Sequence, residues 1–462
     1  MNSAALAAAL VDRGLDPSER QAKQALFKQT VERFSLLPPT GPSSAQGIDE
    51  RVNAVHAWWV PGRLEVFGTH TDYAGGRTLV CAVPRGFAVI ARQRNDGALH
   101  VVDARRDQDV TLTADDVAGF LQSSSSGWRR YVAVVLRRLA RNFPMTSLGA
   151  DVVFASDLPR ASGMSSSSAL MVAVAKVLVK VGGLHKRDEW RNNITSAGDE
   201  AGYYACIENG LSFGTLSGDG GVGTHGGSED HAAILTAAPG DVSAFAFVPM
   251  SPLDTVPLAP HWTFVVTPSG VPAQKAGTAR EAYNRLAEGT RILLDIWNQR
   301  SSSACSSLAA ALMPGAISLQ SVASPAAVEQ LRGWIDTSRV PGWDPPALER
   351  RFDHFIREDA RIAAAVLAFA GADALRLGRL AADSQSDAES LLGNQIPETK
   401  NLARTARDLG AFAARSFGAG FGGSVWALIE DSRAAEFAAR WTPDAFIARP
   451  GPPLVELTAS HP

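Results

Sequence analysis

The sequence predicts a two-domain protein of mixed helices and strands. At 462 residues the chain is longer than a single core usually keeps growing. Residues 156–181 read as a polar loop and a helix placed directly after the β-branched and aromatic run Val152, Val153, Phe154. Four prolines within residues 248–262 interrupt the apolar pattern in mid-chain. They divide a first domain, residues 1–247, from a second, residues 248–462.

The elements follow in order. Residues 1–35 mix Ala, Leu and charges at helical period, with Pro38-Pro39 as the stop. Alternation around Leu64 and Val66, then through 79–83 and 87–91, predicts strands joined by a polar turn over 68–76. That turn collects Thr69, His70, Thr71, Asp72 and Tyr73, which offer hydrogen bonds suited to a sugar's hydroxyls, although Asp, Gly and Thr also form ordinary turns. After the serine tract of 122–127, Trp128 opens a helix that carries Tyr131, Val132, Val135 and Leu136. Residues 187–213 read as one helix that exposes Glu200 and Glu208. The glycine-rich stretch 214–235 contains a formal G-x-G-x-x-G at 221–226, but no strand precedes it, so it is no dinucleotide fingerprint. A strand near 262–271 and a long helix then open the second half, residues 345–380 are helical and Ala-rich, and a glycine cluster precedes a strand within 414–430.

Composition narrows the partners. With 44 basic and 47 acidic side chains the net charge is −3, which recommends neither nucleic acid nor a membrane surface and leaves a small solute. Cys81, Cys206 and Cys305 are far apart and odd in number, as in a reducing compartment, and no zinc spacing appears. The first residues lack a basic leader and no apolar run approaches a membrane span, so a cytoplasmic protein is expected.

The loop of residues 156–168 carries the chemistry. Pro159 restricts its backbone, Gly163 permits a left-handed or close-packed one, and Ser165, Ser166, Ser167 and Ser168 bring hydroxyls and unpaired N–H groups to the positive end of a helix. Such an end suits a polyphosphate, although serine also caps ordinary helices. The loop lacks the lysine of G-x-x-x-x-G-K-[ST] and is not that kind of P-loop.

Three segments resemble signatures of the GHMP kinases and, within them, of the galactokinases. Pro159, Gly163, Met164, Ser165, Ser166 and Ser167 are similar to Pro-x-x-x-Gly-Leu-x-Ser-Ser. Gly62, Arg63, Gly68, His70, Thr71, Asp72, Tyr73, Gly75 and Gly76 resemble Gly-Arg-x-x-x-x-Gly-Glu-His-Thr-Asp-Tyr-x-Gly-Gly, with Thr69 standing where that pattern has Glu. Gly418, Gly420, Phe421, Gly422 and Gly423 match the third signature, and Gly227 to His231 more loosely resemble Cys-Gly-Ile-Met-Asp-Gln. Tyr283-Asn284 also aligns, and residues 354–380 resemble helices that bear Arg-x-x-His-x-x-x-Glu, expected to serve bundle packing.

The resemblance implies an α+β GHMP kinase fold, with a ribosomal-protein-like N-terminal domain facing a ferredoxin-like C-terminal domain. It implies a sugar 1-kinase that uses ATP and Mg²⁺, with galactose as the first expectation and a monomer or homodimer as the assembly. Asp230 takes the role of base and Arg63 offsets charge and keeps Asp230 ionised. Thr69, His70, Asp72 and Tyr73 bind the sugar. Pro159, Ser162, Gly163, Met164 and Ser165 to Ser168 bind ATP, and Trp128 and Tyr131 cover its adenine. Ser167 and Glu208 hold Mg²⁺, with Glu200 as runner-up. Thr69 removes a carboxylate near the sugar's C6, so a kinase for arabinose, fucose, a uronic acid or an N-acetylhexosamine is a rival reading. A catalytically inactive sugar and ATP sensor is another, though the complete serine loop argues against it.

Overall fold

The computed structural model describes residues 1–38, 54–123, 127–272 and 277–457. Pro39 and the serines at 124–126 lie outside the described residues. The N-terminal helical stretch is two helices, Ser3–Asp12 and Arg20–Ser35, because Gly14 turns left-handed and Asp16 caps a short turn that begins at Pro17. The first sheet is built on β1 (Val55–Phe67) and β2 (Arg77–Gln93). β2 runs unbroken through Pro84, so the two short segments expected at 79–83 and 87–91 are one strand. β3 (Leu99–Asp103), β4 (Gln108–Leu112) and β5 (Ala150–Ser156) extend the sheet on one side, with β3 and β5 parallel. β6 (Asp241–Ala246) pairs with the first residues of β2 and with β7 (Ser251–Pro257).

β7 therefore belongs to the first sheet although its sequence is proline-rich. Its two prolines stand at positions where the strand has only β6 as neighbour, and edge strands tolerate a missing N–H. The second sheet has the order β11-β8-β10-β9, from β8 (Trp262–Pro268), β9 (Ala413–Phe417), β10 (Ser424–Glu430) and β11 (Phe446–Ile447). Finally β12 (Val455–Glu456) returns to the first sheet and pairs with Trp58 and Trp59 of β1.

The helix Ser166–Val181 packs on the first sheet with Leu170, Val174, Val177 and Leu178 buried. Each such side chain stabilises by about 1.5–3 kcal/mol, so Leu178→Ala would loosen the helix by about 2–5 kcal/mol. Residues 187–213 differ from expectation, forming the helices Asp188–Arg191 and Ala197–Asn209. The break is a capping box: Ser196 Oγ accepts from Asp199 N at 3.0 Å, and an Asp199 oxygen accepts from Ser196 N at 3.0 Å. No described helix is long and apolar enough to cross a membrane.

Candidate active site

A cavity of about 1210 Å³ runs from the serine loop to the turn between β1 and β2. At the loop, Gly163, Ser165, Ser166 and Ser167 line it. Ser165, immediately before the helix, adopts the left-handed region with φ 58°. Its Oγ is buried without a hydrogen-bond partner among the described residues, a hydroxyl able to donate to an anionic oxygen. Trp128, Tyr131 and Phe154 line the same end. Pro159, Ser162, Met164 and Ser168 do not. Ser162 Oγ donates to Pro159 O at 2.8 Å, its carbonyl accepts from Ser424 Oγ at 2.6 Å, and the buried Met164 accepts from Arg63 N at 3.3 Å. These residues shape the loop from behind. The third glycine-rich segment backs it too: a Cβ on Gly418 would stand 3.0 Å from Gly163 O.

At the other end, Arg63 comes from β1 and is almost fully buried. Its Nε donates to Asp230 Oδ1 at 2.6 Å, Nη2 to Glu229 Oε1 at 2.6 Å, and Nη1 to Gly163 O at 3.0 Å. Asp72 Oδ2 accepts from Glu229 N at 3.1 Å, and a Cβ on Gly227 would fall 2.0 Å from that same oxygen, so only glycine fits there. His70 Nδ1 lies 2.8 Å from Tyr73 Oη. Ser168 Oγ donates to Glu208 Oε2 at 2.8 Å and to Asp230 Oδ2 at 3.2 Å. It is thus Ser168, not Ser167, whose hydroxyl meets Glu208, while Ser167 faces the cavity. Glu200 points elsewhere, bound to Lys176 at 2.8 Å. The structure therefore brings His70, Asp72, Tyr73, Arg63, Asp230 and Glu208 onto the cavity that the serine loop closes.

Comparison with known proteins places the chain in a family. A galactokinase galactose-binding signature matches residues 49–93, the GHMP kinases N terminal domain matches 130–207, and the GHMP kinases C terminal domain matches 364–448. The chain belongs to the GHMP kinases. A galactokinase from Roseiflexus sp. (strain RS-1) is 28% identical over 82% of this chain and 84% of its own length. One from Chloroflexus aurantiacus is 28% identical over 87% and 90%. The fold matches a crystal structure of Lactococcus lactis galactokinase complexed with galactose, with TM-score 0.68 at 20% identity over 88% of this chain and 96% of that one. It also matches Methanococcus jannaschii mevalonate kinase, with TM-score 0.53 at 11% identity over 86% and 98%. Among GHMP kinases this is a galactokinase-like sugar kinase that uses ATP.

In this GHMP kinase Thr69 does not line the cavity. It is buried, and its hydroxyl is held between Glu65 and Arg415. The placement expected for it as a sugar contact is corrected by that pair: an arginine from β9 reaches across the molecule and takes the hydroxyl. Glu65, which the sequence did not single out, lines the cavity instead, with Oε2 accepting from Gly418 N at 3.2 Å. Arg351, His354 and Glu358 do more than pack a bundle. Arg351 Nη2 donates to His70 O at 2.6 Å and to Tyr73 Oη at 3.0 Å, and Glu358 Oε1 accepts from Gly68 N at 3.0 Å. Tyr283, aligned in the sequence without a role, lines the cavity with its ring 5.5 Å from that of His70.

The end of the cavity at the 68–76 turn is electrostatically loaded. Burial opposes the charge of Arg63, but Asp230, Glu229 and Glu65 more than offset it and raise its pKa. Burial raises Asp72 to about 6, helped by Asp230 and Glu65 and opposed by the N–H groups of Glu229 and Tyr73. Burial also drives Glu229 well above the carboxylate range despite Arg63, with Glu65, Asp72 and Asp230 adding to the rise. Glu358 goes the other way: against burial, Arg415, Arg361 and His354 hold it at about 2.

Proposed function

We propose that this kinase transfers the terminal phosphoryl group of ATP to the anomeric hydroxyl of a neutral monosaccharide, galactose first. The observation that carries the reading is the Arg63 fork, which spans Asp230 on the sugar side and Gly163 O of the phosphate loop on the other. One side chain thereby sets the distance between a base and a phosphate cradle, which is what in-line transfer requires. Asp230 receives or orients the proton of the attacking hydroxyl, and Arg63 offsets negative charge that builds on the transferring group. His70, Asp72 and Tyr73 orient the ring.

Mg²⁺ suits the residues present. It takes one or two carboxylates alongside phosphate oxygens, and Glu208 lines the cavity within a hydrogen bond of the serine loop's helix. Glu208 and Ser167 would hold it, and it would neutralise phosphate charge when bound. Glu65, Asp72, Glu229 and Asp230 line the sugar end around an arginine already paired to three of them, which disfavours a uronic acid. The absence of a carboxylate at position 69, where the related pattern has Glu, favours a second reading, a neutral sugar altered at C6. An ATP-coupled panel of free sugars, with the phosphorylated position read by NMR, tests both. Transfer to the anomeric oxygen of galactose supports the first, preference for fucose or arabinose the second, and no turnover on any sugar defeats the proposal.

A further inference from the structure

Glu229 stands immediately before Asp230 at the start of the helix Glu229–Thr236, and the chemistry above gives it no task. Its side chain is nine-tenths buried. Oε1 accepts from Arg63 Nη2 at 2.6 Å, the same length as the bond from Arg63 Nε to Asp230, while Oε2 is buried with no hydrogen-bond partner among the described residues. Nη1 is already bound to the phosphate loop. Every side of the guanidinium is therefore engaged; Glu229 makes the hydrogen bond to its outer nitrogen, with Glu65 Oε2 farther off at 3.7 Å.

One guanidinium carries one charge. Two ionised carboxylates on it would leave a negative charge uncompensated in a buried site, which is strongly unfavourable. The groups facing Glu229 make this worse: Glu65 from β1, Asp72 and Tyr73 from the turn, and Asp230 on its own helix, with Arg63 the cation that faces it. We propose that Glu229 is a positioning residue for phosphoryl transfer, holding the Arg63 fork in the orientation that spans Asp230 and the phosphate loop. It does so as an uncharged acid. Its carbonyl oxygen accepts from Nη2, its proton sits on Oε2, and the charge of Arg63 stays undivided for Asp230 and the phosphoryl oxygens. This agrees with the upward displacement of its pKa, whose first cause is burial. Ionisation of Glu229 divides that charge, so turnover declines as pH rises through the transition.

The proposal rests on the kinase reading above, and two variants test it. Glu229→Gln keeps an oxygen acceptor and cannot ionise; Glu229→Leu keeps much of the bulk and has no acceptor. Steady-state kcat and KM for sugar and for ATP are measured from pH 6 to 10 in the full chain. Glu229→Leu is expected to lose about a hundredfold in kcat at pH 7, with both KM values within a few-fold of the parent. Glu229→Gln is expected to recover kcat to about a third of the parent and to lack the parent's alkaline decline. A Leu variant with parental kcat, a Gln variant as poor as Leu, or superimposable pH profiles for parent and Gln variant would each overturn the proposal. If the Leu variant does not fold by circular dichroism, the Gln profile decides alone. An inert parent would defeat the kinase reading itself, and this proposal with it. An active parent with indifferent variants defeats only the role of Glu229.

Discussion

The two ends of the cavity are built in opposite ways. The end proposed to hold phosphate is local: one loop and one helix supply Gly163 and Ser165 to Ser167. The sugar end is assembled from β1, the 68–76 turn, the helix Glu229–Thr236, the helix Pro345–Ala370 and β9, joined by buried ions. Arg415 alone contacts Glu65, Thr69 and Glu358, which lie up to 350 residues away in sequence. A local site depends on turn and helix geometry. A distributed one depends on charges that are costly to bury and costlier to leave unpaired.

The difference can be broken by substitution. The largest effect is expected for Asp230→Asn, which removes the proposed base while keeping the shape: kcat should fall about 10²- to 10⁴-fold with sugar KM within a few-fold. Turnover within a few-fold of the parent would show that another group takes the proton. Next, Arg415→Leu leaves Glu65 and Glu358 buried without their shared cation and should lower stability by about 3–5 kcal/mol in urea unfolding. An unchanged midpoint would mean that the ionic network is not what holds the sugar end.

Asp72 gives a pH test. Its folded pKa is raised to about 6 from an ordinary 3.8, so between those values the unfolded chain ionises while the folded one keeps its proton. Folding is therefore penalised progressively as pH climbs through that window, by about 3 kcal/mol once above it. Asp72→Asn escapes the penalty, so its stability relative to the parent should grow by about that amount between pH 4 and pH 7. A difference that stays constant with pH would remove the claim. At the phosphate end, Ser165→Ala should raise ATP KM about tenfold and leave sugar KM unmoved, since one hydrogen bond to a charged oxygen is at stake. The smallest effect is expected for Thr69→Val, about 1 kcal/mol of stability with no change in sugar KM. A large rise in that KM would return Thr69 to the sugar's surface.

Legibility in the sequence followed the same division. The strand, serine loop and helix of 150–181 were readable because each signal lies within a few residues of the next. Trp128 and Tyr131, at the start of one helix, also line the cavity. The break at Ser196 was visible as Ser-x-x-Asp, yet the Ala-rich surroundings read as one continuous helix. Strand β7 was hidden by its prolines, which an edge position tolerates. Glu65, Arg351, Glu358 and Arg415 had no local signal for their contacts with the turn. Their partners are chosen by tertiary approach, and a lone charged residue on a strand or helix looks the same whether it is solvated or buried against a distant counter-ion.

The return of β12 to the strand that bears Arg63 has a mechanical consequence. The polypeptide crosses from the first sheet to the second after Pro257 and comes back before Val455, so the second layer is laced in at both margins. Any rocking of one layer against the other must flex two crossings together, which favours small sliding displacements over a wide hinge. A nick at the proline-rich crossing would leave the fragments stitched through that short terminal pairing.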